Sequence, residues 1–265
     1  MKEKQLKILI VDDEQVVVDS LEKICALEDF QTSFALTAED GLSLLSKDKF
    51  DLILSDIMLP EMNGFEFLET LQLRKIETPV IMITGYSTLE NAVKALNEGA
   101  IDYIPKPFEV DEILSALYRA KNFIRIRYKV KEEETTDIVY VNCPSKYFRL
   151  GLFSWVHITD EGSALVGATD LFLKTIDNYN NLTLKEIEEE IYQGSSCAKL
   201  IEDDVYIHDL LAPISGKIIE RNEAVINNNS IIEKDPFFNG WLYRVIPTDI
   251  EYEMKNLSSC SSDQI

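Results

Sequence analysis

Asp51-Leu52-Ile53-Leu54-Ser55-Asp56-Ile57-Met58-Leu59-Pro60 sets a carboxylate, Asp56, directly after a short apolar run. Short apolar runs bounded by polar or turn residues suit buried parallel strands. Outward from this stretch the pattern repeats. Leu6–Val11, Thr32–Ala35, Val80–Ile83 and Ile101–Ile104 read as strands beside Asp51–Leu54. Between them lie helical stripes, such as Val17, Leu21, Ile24 and Cys25, or Leu89, Ala92, Val93 and Leu96. Strand–helix alternation of this kind predicts a doubly wound α/β domain. In such sheets chemistry gathers at the carboxyl ends of the strands.

Those ends carry a coherent set of groups. The first strand ends in Asp12-Asp13, the third in Asp56, and the fourth in Thr84-Gly85. The fifth is followed by Lys106, held between Pro105 and Pro107. An Asp-Asp pair alone is an ordinary turn or helix cap, and a lone lysine between prolines carries no message. On one sheet edge they form an oxygen-rich acidic pocket whose repulsion a hard cation such as Mg²⁺ relieves. A carboxylate nucleophile, a Mg²⁺ pocket, a hydroxyl and an ammonium fit phosphoryl transfer to aspartate. Asp56, Thr84 and Lys106 are the reacting set in this reading.

Residues 6 to about 125 resemble the receiver domain of bacterial response regulators. The resemblance lies in Val11-Asp12-Asp13-Glu14, Asp56-Ile57-Met58-Leu59-Pro60 with Asn63-Gly64, Thr84-Gly85-Tyr86 and Tyr103-Ile104-Pro105-Lys106-Pro107. It implies a flavodoxin-like five-stranded parallel sheet with Asp56 as the phosphorylation site. It also implies Asp13, Asp56 and the Met58 carbonyl as metal ligands, Asp12 in the same pocket, and Thr84 with Tyr103 as a switch pair. The implied partner is a sensor histidine kinase or phosphotransfer protein, and a homodimer through the receiver is allowed.

The helical stripe Ile113, Leu117, Ala120, Ile124, Tyr128 leads into a charged stretch, Lys129–Thr136. That stretch reads as a solvated neck, or as an extension of the last helix. Beyond Ile138 the pattern becomes that of strands. Trp155–Thr159, the turn Asp160–Gly162 and Ala164–Gly167 read as a hairpin. Ile207–Leu211 and Lys217–Arg221 read as strands around Ala212-Pro213-Ile214-Ser215-Gly216, whereas Leu184–Tyr192 has no clear form. Ser154-Trp155-Val156, Gly167-Ala168-Thr169-Asp170, Asp209–Gly216, Asn222-Glu223-Ala224 and Glu233–Leu242 together resemble the glycine-cleavage H protein, of the lipoyl/biotinyl hammerhead fold.

In that family a lysine four residues before the Asp-Leu element carries the lipoyl group. Here the position is Val205, in Asp203-Asp204-Val205-Tyr206, and Lys199 and Lys217 lie away from it. The resemblance therefore implies a carrier fold without its acylation site. His157 and His208 read as strand-surface residues without chemistry.

With 47 acidic against 26 basic residues the net charge is −21, which leaves no basic surface for nucleic acid. No apolar run has the roughly 18–20 residues of a membrane span. The N-terminus lacks a signal-peptide pattern. Four scattered cysteines without a Cys-x-x-Cys pair read as reduced thiols of a cytoplasmic protein. The expected organisation is a receiver at 1–125, a helical charged linker at 126–138, an H-protein-like domain at 139–255 and a disordered tail at 256–265. The expected function is non-enzymatic: a phosphorelay response regulator acting through an unknown downstream protein. The alternatives are a phosphorylation-gated lipoyl carrier and a phosphate sink.

Overall fold

The computed structural model describes residues 5–131, 140–202 and 206–260. The chain divides into two compact units, Met1–Ile124 and Arg125–Ile265.

In the first unit the strands are β1 (Lys7–Val11), β2 (Gln31–Ala35), β3 (Leu52–Ser55), β4 (Val80–Thr84) and β5 (Asp102–Pro105). They alternate with α1 (Gln15–Leu27), α2 (Ala38–Lys47), α3 (Gly64–Leu73), α4 (Leu89–Asn97) and α5 (Val110–Lys131). All five strands run parallel in the order β2-β1-β3-β4-β5. The three central strands are apolar on both faces because helices cover both, and Ile8, Leu9, Ile10, Ile53, Ile81 and Met82 are fully buried. Register fixes the chemistry. Val11 lies beside Ser55, and Thr84 beside Pro105, so Asp12, Asp56 and Lys106 emerge from one edge.

Local caps set the helix starts. Asn63 accepts from the backbone N–H groups of Phe65 and Glu66, and Glu66 accepts from that of Asn63, a capping box that begins α3. Thr37 and Thr88 cap α2 and α4 through their hydroxyls. Gly64 permits a close approach: a Cβ there would sit 2.2 Å from the Asp56 carbonyl oxygen. The buried pair Asp102–Arg119 ties β5 to α5. The last helix runs on to Lys131, so the first three residues of the charged stretch are helical. Residues 132–139 lie outside the described ones.

The second unit is mostly β. Its strands are β6 (Phe148–Leu150), β7 (Ser154–Ile158), β8 (Ala164–Ala168), β9 (Tyr179–Leu184), β10 (Glu190–Ile191), β11 (Ser196–Glu202), β12 (Tyr206–Leu211), β13 (Gly216–Arg221), β14 (Trp241–Pro247) and β15 (Ser258–Ser259). Short helices intervene: α6 (Asp170–Thr175), α7 (Glu223–Asn227), α8 (Ile231–Lys234) and α9 (Ile250–Glu253). One sheet runs β10-β13-β14-β8-β7-β6-β15 and another β12-β11-β9. Trp155 and Tyr243 are fully buried, and their polar atoms find backbone partners, as buried amphipathic rings require. Trp155 donates to the Pro236 carbonyl at 3.1 Å and Tyr243 to that of Cys197 at 2.8 Å. Gly167 lies against the Trp155 indole, where a Cβ would come within 2.5 Å.

Three expectations fail here. Residues 256–260 of the expected disordered tail are ordered: β15 pairs with β6, and Leu257 and Cys260 are buried. Polarity alone misled, since two residues suffice to close a sheet edge. The cysteines are not all reduced, because Cys143 and Cys260 form a disulfide across 117 residues. His208 is not a surface residue but buried on β12.

Candidate functional site

Asp12 and Asp56 leave β1 and β3 side by side, both buried, with Asp13 exposed next to them. The Asp56 N–H donates to the Val11 carbonyl at 2.8 Å, which fixes the level of the two chain ends. Ligand oxygens of Asp12, Asp13 and Asp56 lie within 4.8 Å of one another. The Asp56 carboxylate accepts from the Met58 N–H at 3.0 Å, and Asp12 accepts from the Glu14 N–H at 3.0 Å. Lys106 Nζ stands 2.6 Å from Asp56, 2.7 Å from Asp12 and 3.4 Å from Glu14. Its backbone is set by a 2.7 Å bond to the Thr84 carbonyl, and its peptide to Pro107 is cis.

Electrostatics follow from this crowding. Burial pushes the Asp12 carboxyl up from its usual 3.8, the negative Asp56 adds to the rise, and Lys106 opposes it. Burial works against the Lys106 charge, but Asp12 and Asp56 outweigh it and hold the ammonium above its usual range. One ammonium thus serves three crowded carboxylates, which leaves negative charge uncompensated. Hard, converging oxygens of this kind suit Mg²⁺. The donor set therefore fits the ion that the sequence implies.

Thr84 is fully buried at the end of β4, and its hydroxyl accepts from the Tyr86 N–H at 3.1 Å. A hydroxyl that accepts one bond still has its own proton to give. Tyr103 is half-buried, and its hydroxyl donates to the Tyr86 carbonyl at 3.4 Å. Burial, then the charge of Asp56, raise its phenol to about 12, so it remains a neutral donor. Both residues of the expected switch pair thus contact the backbone of Tyr86.

In the second unit the hairpin β11–β12 pairs Glu202 with Tyr206. Val205 and its neighbours Asp203 and Asp204 lie outside the described residues. Lys199 is exposed on β11 opposite Asp209, and Lys217 on β13 pairs with Glu188. The sequence reading missed a contact beside the tip of this hairpin, between Nε2 of the buried His208 and the half-buried Glu202 at 3.0 Å. The spacing of six residues signals nothing until the antiparallel register folds it together. His157 stacks on Tyr147 with ring centroids 4.6 Å apart. Among the described residues, no helix is long and apolar enough to cross a membrane.

Comparison with known proteins divides the chain in the same way. The response regulator receiver domain family matches residues 8–118, and the glycine cleavage H-protein family matches residues 130–263. Among curated proteins, the cell cycle response regulator CtrA of Brucella ovis is 28% identical over 228 residues, covering 86% of this chain and 91% of that protein. Among solved structures, a CheY-like receiver domain protein of Methanospirillum hungatei is 36% identical over 50% of this chain and all of its own, with a TM-score of 0.42. A glycine cleavage system H protein of Mycobacterium marinum is 29% identical over 45% of this chain and 94% of its own, with a TM-score of 0.40.

Proposed function

We propose, for a chain that belongs to the response regulator receiver family over residues 8–118 and to the glycine cleavage H-protein family over residues 130–263, a phosphorelay role in which Asp56 is the phosphoacceptor and the H-protein-like unit is the output. Two-component response regulation is what the family assigns to the first unit. One observation carries the rest: Lys106 Nζ lies within 2.7 Å of both Asp56 and Asp12 in a cluster of three carboxylates.

In this reading a carboxylate oxygen of Asp56 attacks the phosphorus of a phosphohistidine on a kinase or phosphotransfer protein. The P–O bond forms as the P–N bond breaks, and the departing imidazole keeps the electron pair. Mg²⁺, when bound by Asp12, Asp13, Asp56 and the Met58 carbonyl, neutralises charge on the transferring oxygens. Lys106 gives up its bond to Asp56 and pairs with the phosphoryl group. Thr84 turns its proton toward the same group and draws in the Tyr86 segment, and Tyr103 follows. Shifting a population from 1:99 to 99:1 takes about 5.5 kcal/mol. Two charge-assisted hydrogen bonds, at about 1.5–3 kcal/mol each, are of that order.

The second unit is read as a non-enzymatic binding module, because Val205 stands where the lipoyl lysine belongs. The protein then works in the cytoplasm with a protein target rather than nucleic acid. Intact-mass analysis of protein purified from its native host tests this. The expected mass carries no lipoyl group; a lipoylated Lys199, Lys217 or other lysine overturns the binding-module reading and makes the chain a phosphorylation-gated carrier.

A further inference from the structure

Cys143 and Cys260 lie on the chain leading into β6 and just after β15, with Cα atoms 5.4 Å apart and their sulfurs bonded. Both are buried among Tyr147, Trp155 and Phe237. Backbone bonds seat Cys260 against the chain just after Cys143: Ser258 and Ser259 pair with Arg149 and Phe148, and the Cys260 N–H donates to the Tyr147 carbonyl at 3.0 Å. Two thiols in these places would remain poised to rejoin.

The two cysteines differ in surroundings. Cys143, not Cys260, lines a pocket of about 30 Å³, shared with Arg149, Gly151, Thr169 and Phe237. That space admits one molecule the size of water. Arg149, charged at every physiological pH, donates to the Gly151 carbonyl at 2.7 Å in the same wall. Arg149 thus puts a cation in the wall of the pocket that Cys143 lines, the kind of surroundings in which reactive cysteines are found. Cys25 and Cys197 are the contrast. Each is a free thiol outside any disulfide, and burial pushes it up to about 12.

We infer that Cys143 and Cys260 form a reversible thiol–disulfide site oxidised by a hydroperoxide of water-like size and reduced by a dithiol, with Cys143 attacking and Cys260 resolving. In the oxidative direction the Cys143 thiolate displaces hydroxide from hydrogen peroxide and becomes a sulfenic acid. The Cys260 thiol then displaces the sulfenic oxygen as water, closing the disulfide. In the reverse direction a dithiol attacks the bond, forms a mixed disulfide and leaves as its own disulfide, returning two thiols. Disulfides in reducing compartments are usually of this transient, sensing kind. The inference rests on the cytoplasmic reading for its reductant and for the transient character of the bond.

The full-length chain provides the test. Reduced and freed of reductant, it should expose all four cysteine thiols to alkylation under denaturing quench. One equivalent of hydrogen peroxide should then remove two of them and link the Cys143 and Cys260 peptides. Thioredoxin, without denaturant, should restore both. Cys260→Ser should accumulate a sulfenic acid on Cys143 that a cyclic 1,3-dione traps, whereas Cys143→Ser should yield none on Cys260. Arg149→Gln should slow the peroxide step by up to about tenfold, because it removes the cation from the wall of the pocket that Cys143 lines. A disulfide that thioredoxin opens only in denaturant would mark a fixed clip and overturn the proposal. Peroxide that leaves the thiol count unchanged would do the same, and a sulfenic acid trapped on Cys260 would overturn the order of attack. The wild-type thiol count decides even if a variant fails to fold. No phosphodonor is involved, so failure here is distinct from failure of the Asp56 assignment.

Discussion

Asp12 is buried beside Asp56 and Lys106, and its titration is a sensitive report on the acidic pocket. Its folded-state pKa lies above the usual 3.8, raised by burial and then by Asp56. Without metal, the stability from protonating it is therefore present below the unfolded pKa and lost as pH rises through the folded one. A bound Mg²⁺ needs the ionised form, so its affinity should run the other way, weakening on acidification at a pH above that of an ordinary aspartate. Calorimetric titration with Mg²⁺ between pH 4 and 7 checks this, and a flat profile would count against Asp12 as a member of the pocket. Asp13→Asn removes one of three crowded like charges. It is expected to raise the melting temperature of the metal-free protein while abolishing the further rise that Mg²⁺ gives the wild type. Thr84→Ala, by contrast, should bind Mg²⁺ normally and accept phosphate, yet leave Tyr103 unmoved on phosphorylation, as read by its ring resonances in NMR. A loss of Mg²⁺ binding as severe as that of Asp13→Ala would contradict the role given to Thr84. These residues were legible in sequence because each ends a strand of a parallel sheet, where position along the chain maps directly onto one edge. The contact of His208 with Glu202 was not, because it exists only through the antiparallel register of β11 and β12.

Among the elements, the turn from β3 into α3 couples the acceptor to the scaffold. Gly64 has its would-be Cβ 2.2 Å from the Asp56 carbonyl oxygen and 2.7 Å from the Ile57 Cα, backbone atoms that cannot swing aside. Gly64→Ala should cost at least the roughly 1–3 kcal/mol of an overpacked core and disturb Asp56 itself. Gly85→Ala meets nothing within 4 Å and should be close to neutral for stability. Urea midpoints of the two variants check the contrast, and equal midpoints would refute it. The five strands of the first unit were readable to within a residue or so, since buried parallel strands are continuous apolar runs. The stretch from Leu184 to Tyr192 was not. It contains the end of β9, a turn with Glu188 at φ 77° and the two-residue β10, too short for any periodicity to register. The strand at Ser258–Ser259 escaped for the same reason, and its disulfide brings together cysteines too far apart in sequence to be paired by inspection.

On the proposed reading, the whole molecule joins a unit that accepts a phosphoryl group to one that has kept a carrier fold and lost its carrier residue. The acidic composition agrees with both halves: it supplies the three crowded carboxylates of the first and disfavours nucleic acid as the target of the second. What the sequence could not supply is the order of the chain's two ends in the second unit. Cys143 and Cys260 hold those ends together, and the cluster of Tyr147, Trp155 and Phe237 packs around them. The central claim is that Asp56 alone receives the phosphoryl group, since it alone ends β3 within reach of Lys106 and the Asp12-Asp13 pair. Its most direct test is incubation of the full chain with a radiolabelled small phosphodonor and Mg²⁺, side by side with Asp56→Asn. The expected result is label on the wild type that depends on Mg²⁺ and is lost in Asp56→Asn; equal labelling of the two proteins would contradict the assignment of Asp56.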